Sequence, residues 1–221
     1  MKVILFGATG MIGQGVLGEC LRDERVAQVL AVGRSPLGIE HPKLRELIQP
    51  DPADLSAVAG ELPEFDACFF CLGVSSVGMK EEDYRRITYD LTMRVARPLA
   101  AANPELTFVF VSGQGTDGTE RSRTMWRRVK GKTENDLLTL PFQAYMFRPG
   151  FVQPMDGVVS KTRLYRTAYA ITGPLIPLFK RLAPNAFNDN REIGRAMITV
   201  AASGADTRVL TPRQIAAHAA P

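Results

Sequence analysis

Apolar residues fall along this chain in two alternating patterns. Short apolar runs, rich in β-branched and aromatic residues, occupy Lys2–Phe6, Gln28–Val32, Leu44–Ile48, Ala67–Leu72, Leu106–Ser112, Ala144–Arg148 and a brief Arg208–Leu210. Between them, Met11–Arg22, Asp54–Glu61, Glu81–Ala102 and Arg121–Leu140 read as helices, and Arg191–Ser203 follows as an amphipathic one. Unbroken runs of this length suit strands buried on both faces. Strands alternating with helices predict βαβ units and a parallel sheet. Right-handed crossovers then give an α/β, doubly wound parallel sheet with strand order 3-2-1-4-5-6. In such a sheet ligands bind outside the carboxyl ends of the strands, at the switch between the first and fourth.

The opening MKVILFGATGMIGQG makes this reading specific. A buried-strand pattern stops at Gly7, and Gly10 and Gly13 follow at three-residue steps into a helical stretch. Strand, glycine turn and helix in that order place a pyrophosphate on a helix N-terminus, as in a Rossmann fold. Gly7 allows the turn, Gly10 lets the backbone approach phosphate, and Gly13 lets the helix pack on the sheet. The expected cofactor-binding set here is Gly7, Thr9, Gly10, Met11, Ile12 and Gly13. The alternative is a glycine turn without a ligand.

From Gly150 onward the pattern changes. Residues 151–189 contain Pro154, Pro174, Pro177 and Pro184 with an apolar stretch, AYAITGPLIPLF. The chain is expected to be a single domain over 1–221, with 150–221 as a small helical appendage on the substrate side. The apolar segment 169–179 is read as a lid, a dimer contact or a membrane-touching patch. Its glycine and prolines argue against one long helix, and core or dimer burial is preferred.

Composition narrows the function. The chain has 221 residues and a formal net charge of +4, with basic residues scattered. Its densest basic stretch, Arg121 to Lys132, reads as a solvated helix face or a cofactor-phosphate environment rather than a nucleic-acid surface. The glycine turn interrupts any signal-peptide core, and no apolar stretch is long enough to span a membrane. The three cysteines have apolar surroundings and suit a reducing cytoplasm. Cys68 and Cys71 form a CxxC within a strand pattern, where positions three apart face opposite ways, so core packing is expected and no metal site. The expected partners are a small-molecule substrate and a second copy of the chain.

Other candidate residues sit at strand ends. Arg34 follows the second strand within Gly33-Arg34-Ser35, and no acidic residue occurs from Gln28 through Ile39. An acid here would bind the ribose 2′-hydroxyl of NAD, whereas arginine matches the 2′-phosphate of NADP. NADP is therefore expected over NAD. Asp51 follows the third strand, where it can accept from an adenine amino group; a helix N-cap by Asp51 or Asp54 is the alternative. Leu72 and Gly73 close the fourth strand on the cofactor's path. Ser112, ahead of Gln114 and Thr116, is the first candidate to polarise a substrate carbonyl. Arg148, in Arg148-Pro149-Gly150-Phe151, reads as a phosphate or substrate ligand, or as an ion pair at the sheet edge.

GATGMIG, Gly33-Arg34, FVFVSG, WRRVKGKTENDL and FRPGF together resemble the short-chain dehydrogenase/reductase superfamily, in particular its atypical members. These include oxidoreductases similar to the Tat-interacting protein and bacterial epimerase-like proteins. The resemblance covers about residues 1–160. It implies NAD(P) chemistry through a Tyr-x-x-x-Lys pair on one helix and a carbonyl-binding serine. Lys130 matches the lysine, the expected holder of the nicotinamide ribose. The tyrosine position holds Trp126, whose indole donates a hydrogen bond but does not titrate near neutral pH. Gly113 or Gln114 competes with Ser112 for the serine place. An oxidoreductase drawing its proton from Tyr84, Tyr89, Lys130, Ser112 or a held water is one expectation. A binding protein without turnover is the other, with an epimerase behind both.

Overall fold

The computed structural model describes residues 1–155 and 187–220. Segment 169–179 therefore lies outside the described residues, and so does most of the stretch read as a substrate-side cover. A seven-stranded sheet forms the centre. Its strands are β1 (Lys2–Phe6), β2 (Gln28–Gly33), β3 (Leu44–Ile48), β4 (Ala67–Phe70), β5 (Thr107–Val111), β6 (Gln143–Phe147) and β9 (Val209–Leu210). The order is β3-β2-β1-β4-β5-β6-β9, with every pair parallel. The predicted order holds, and β9 extends it past β6. A second, two-stranded parallel sheet pairs β7 (Phe151–Gln153) with β8 (Phe187–Asp189). Three residues per strand leave no period to read in the sequence.

Burial on both faces explains the apolar runs. On one face Val3, Leu5, Val29 and Phe69 pack with Val16, Leu17 and Cys20 of α1 (Met11–Arg22) and with Ile193 and Met197 of α5 (Asn190–Ser203). On the other, Ile4, Phe6, Phe70 and Phe108 pack against Val95 and Leu99 of α3 (Leu91–Ala102) and Leu137 of α4 (Met125–Leu138). Phenylalanine rings thread that second layer: Phe6 to Phe70 at 5.3 Å and Phe108 to Phe142 at 5.0 Å between centroids. Cys68 joins the second layer and Cys71 the first, on opposite sides of the sheet. The cysteines are free, and no metal-holding cluster occurs among the described residues.

Local chemistry sets the helix ends. The helix expected over Glu81–Ala102 is α2 (Glu81–Arg85), a π-type turn over Arg86–Asp90 and α3. Asp54–Glu61 is instead a 3-10 helix over Ser56–Glu64 with Pro63 inside it. Its N-cap position is Leu55, but the Asp54 carboxylate accepts the N–H of Ser56, the first helical residue, while Asp51 accepts that of Ala53 ahead of it. α4 starts four residues later than expected, because the Asp117 carboxylate accepts the backbone N–H groups of Thr119, Arg121 and Ser122 and holds them in a loop. Capping boxes start α5 (Asp189 with Glu192) and α6 (Pro212–Ala219, Thr211 with Gln214). α1 and α5 lie close: a Cβ on Gly15 would meet Asn190 at 2.6 Å, and one on Gly194 would meet the Val16 backbone at 3.0 Å. Buried Glu19 of α1 ties the pair through Arg191 and Arg195 of α5. No described helix is long and apolar enough to cross a membrane.

Candidate functional site

A cleft of about 880 Å³ runs along the carboxyl ends of the strands, over the switch between β1 and β4. Gly7, Thr9, Gly10, Met11, Ile12, Arg34, Asp51, Leu72, Gly73, Ser112 and Lys130 all line it. Gly13 alone of the expected set lies beneath it rather than in its wall.

The three glycines of the turn have different surroundings. Gly7 turns with φ +82°, and a Cβ on it would stand 2.7 Å from the Leu72 backbone nitrogen. The glycine thus lets the β1 turn press on the end of β4. The Gly10 N–H closes the turn onto the Gly7 carbonyl at 2.9 Å. Gly13 is the tightest: a Cβ there would sit 2.0 Å from the Gly7 carbonyl oxygen. Gly10, as the N-cap of α1, brings no side-chain hydrogen bond to the helix. The N-terminus of α1, with the positive end of its dipole, thus lies at the cleft wall with no side chain on its N-cap residue.

One end of the cleft carries charge. Arg34 is exposed and makes no ion pair among the described residues. Glu46 of β3 reaches the same wall, and one of its oxygens accepts the Leu37 N–H at 2.9 Å. Asp51 also lines this end, but its carboxylate is engaged by Arg94 at 2.5 Å and by the Ala53 N–H at 3.1 Å. Those contacts hold the Asp51 carboxyl below its ordinary pKa, Arg94 contributing most.

The other end is built on β5 and α4. Lys130 donates from Nζ to the Ser112 main-chain carbonyl. Burial lowers its pKa to about 8, against the opposing pull of Glu134 one turn on. Glu134 is buried and paired with Arg148 through two bonds, at 3.0 and 2.5 Å. Arg148 is thus the ion pair at the sheet edge and does not line the cleft. Ser112 is buried, and its hydroxyl donates to the Phe147 carbonyl at 3.1 Å. The side-chain direction toward the lysine belongs to Gly113: a Cβ there would lie 4.0 Å from Lys130 Nζ.

The aromatic candidates lie elsewhere. Trp126 packs over the turn at Gly115, where a Cβ would meet its ring at 3.5 Å, with the Arg127 guanidinium 5.5 Å from the ring centre. The Tyr89 hydroxyl donates to Asp136, and Tyr84 is buried. Neither tyrosine lines the cleft, so the structure removes both as proton donors there. Two contributors were missed by sequence reasoning. Glu46 left no signal, because it comes from the strand after the one searched. Gly131 did leave one, as a glycine inside a helical pattern. A Cβ on it would lie 1.8 Å from the Asp117 carbonyl oxygen, so the glycine lets α4 come in close enough to present Lys130.

No family model matches the chain. Over 200 residues it is 26% identical to a protein of Aspergillus terreus named "Protein fmp52-2, mitochondrial", covering 89% of this chain and 85% of that protein. It is 27% identical over 193 residues to "Protein FMP52, mitochondrial" of Debaryomyces hansenii, covering 78% and 83%. Among solved structures it is similar to the Bordetella bronchiseptica enzyme WbmF in complex with NAD+, with a TM-score of 0.68, 15% identity, and 98% and 76% of the two chains covered. It is equally similar to a short-chain dehydrogenase/reductase family oxidoreductase of Burkholderia thailandensis, with a TM-score of 0.68, 15% identity, and 97% and 92% covered. The fold is that of these proteins. The relatives' names overturn the cytoplasmic expectation. That expectation rested on unpaired cysteines, which report a reducing surrounding and do not distinguish one such compartment from another.

Proposed function

We propose that this protein binds a nicotinamide dinucleotide along the cleft, prefers NADP(H), and uses it to oxidise or reduce a small alcohol or carbonyl compound. One observation carries the reading: a single cleft is lined by the glycine turn at the N-terminus of α1, by an arginine that makes no ion pair among the described residues, and by a half-buried lysine. The residues fit such a ligand. Gly10 puts no side chain at the α1 N-terminus, where a pyrophosphate would approach, and Gly73 has no atom within 4 Å of where its Cβ would be. The relatives' names point to a mitochondrial rather than a cytoplasmic setting.

A bound nicotinamide supplies hydride transfer. The chain supplies position and charge. The first turn of α1 binds the pyrophosphate, and Arg34 binds the 2′-phosphate through its guanidinium fork. Ser112 positions Lys130 through its main-chain carbonyl. Lys130 binds hydroxyl oxygens at the reacting end and holds a proton it can release near pH 8. A second reading, a binding protein without turnover, draws on Trp126 in the tyrosine position and on Gly113 facing Lys130 without a side chain.

Titration with NADPH and NADH, followed by a panel of aldehydes and ketones, separates the two readings. Consumption of NADPH with a carbonyl supports the oxidoreductase; tight binding without consumption supports the binding protein. Arg34→Ala is expected to weaken NADPH about tenfold or more and leave NADH nearly unchanged. Equal loss for both cofactors would remove the phosphate assignment.

A further inference from the structure

We infer that Glu46 is a specificity-determining residue of the adenosine end, accepting the ribose 2′-hydroxyl of NAD(H) beside the arginine that takes the 2′-phosphate of NADP(H). The inference rests on the dinucleotide reading and refines it. Glu46 pairs in register with Ala31 of β2, two residues before Gly33 and three before Arg34. From there its side chain lines the cleft and reaches the loop that follows β2, where Oε2 accepts the Leu37 N–H at 2.9 Å. Oε1 has no hydrogen-bond partner among the described residues, and neither has the Arg34 guanidinium. A carboxylate already oriented by one backbone bond has its second oxygen free for a hydroxyl.

The two side chains pull preference in opposite directions. A carboxylate accepts a ribose hydroxyl through a charge-assisted bond. The same carboxylate repels a 2′-phosphate, which carries about −1.5 to −2 charges near pH 7 if it titrates like other phosphomonoesters. Arg34 attracts that phosphate and gains nothing comparable from a hydroxyl. The protein therefore accepts both cofactors, and its preference for NADP(H) is smaller than Arg34 alone would produce.

Glu46→Gln isolates the charge. Glutamine keeps an oxygen for the Leu37 N–H, so the loop tether survives while the carboxylate is lost. Titrating wild type and variant with NADPH and NADH is expected to show NADPH binding more tightly and NADH more weakly. The affinity ratio moves about tenfold toward NADPH. A residue that only tethers the loop would leave the ratio unchanged, and that outcome overturns the inference while the dinucleotide reading stands. Arg34→Ala gives an independent arm: with Glu46 left alone, preference should invert to NADH, and persistent NADPH preference would count against Glu46. Failure of wild type to bind either cofactor overturns the inference and the proposed function together.

Discussion

Gly13→Ala is expected to unfold the cofactor turn, whereas Gly10→Val should leave the sheet folded and abolish dinucleotide binding. The two glycines sit three residues apart in one turn, yet their surroundings differ. A Cβ on Gly13 lies 2.0 Å from the Gly7 carbonyl oxygen and 2.6 Å from its carbon, both backbone atoms. Gly7 cannot retreat, because its own Cβ position is 2.7 Å from Leu72 N at the end of β4. Overpacking against backbone on both sides costs about 3 kcal/mol or more, a fall of about 10 °C in Tm for a chain of this size. Gly10 has φ −83° and ψ 164°, which any residue adopts, and its Cβ direction meets only the Gly7 oxygen at 3.2 Å. A valine there costs little in the free protein but occupies the approach of the pyrophosphate. Thermal melts and NADPH titrations of both variants check this. A Gly13→Ala protein as stable as wild type would show that the helix has room to shift, and a Gly10→Val protein that binds NADPH normally would remove the turn from the binding site.

The second large effect concerns Lys130 and pH. Its folded pKa is lowered to about 8 by burial, against about 10.4 for a lysine in the unfolded chain. Between those values the unfolded chain holds the extra proton, so this residue makes stability rise as pH rises from about 8 toward 10.4. Below pH 8 the full cost of the half-buried ammonium is present, about 3 kcal/mol at most. Three thiols push the other way: burial raises Cys20, Cys68 and Cys71, so the unfolded chain loses those protons first and stability falls above their ordinary range. Comparing Lys130→Met with wild type isolates the lysine, since the thiols are common to both. Urea unfolding from pH 7 to 10 should show the stability advantage of Lys130→Met shrinking as pH rises. A constant difference would mean that the lysine keeps an ordinary pKa. The same variant should lose about a hundredfold or more in turnover with NADPH, because the group at the reacting end is gone.

The central strand runs were legible because β1, β2, β4 and β5 are buried on both faces and so exclude polar residues locally. The glycine turn was legible because its three positions serve backbone geometry within thirteen residues of chain. The 3-10 helix at Ser56–Glu64 and the π-type turn at Arg86–Asp90 were not, since apolar spacing alone does not separate them from an α-helix. Asp51 looked like a free acceptor until Arg94, forty-three residues away, was found on its carboxylate.

By itself the sequence determined a parallel doubly wound sheet, its strand order, the glycine turn after β1 and Arg34 just past the end of β2. Those features depend on local period and on where chirality lets a crossover return. Only the tertiary structure decided what meets across strands. Register between β2 and β3 brought Glu46 to the arginine loop, and the close approach at Gly131 brought Lys130 to the Ser112 carbonyl. The direction of one absent side chain placed Gly113 opposite that lysine. Each of these depends on orientation between segments far apart in the chain, which residue spacing along one segment does not encode.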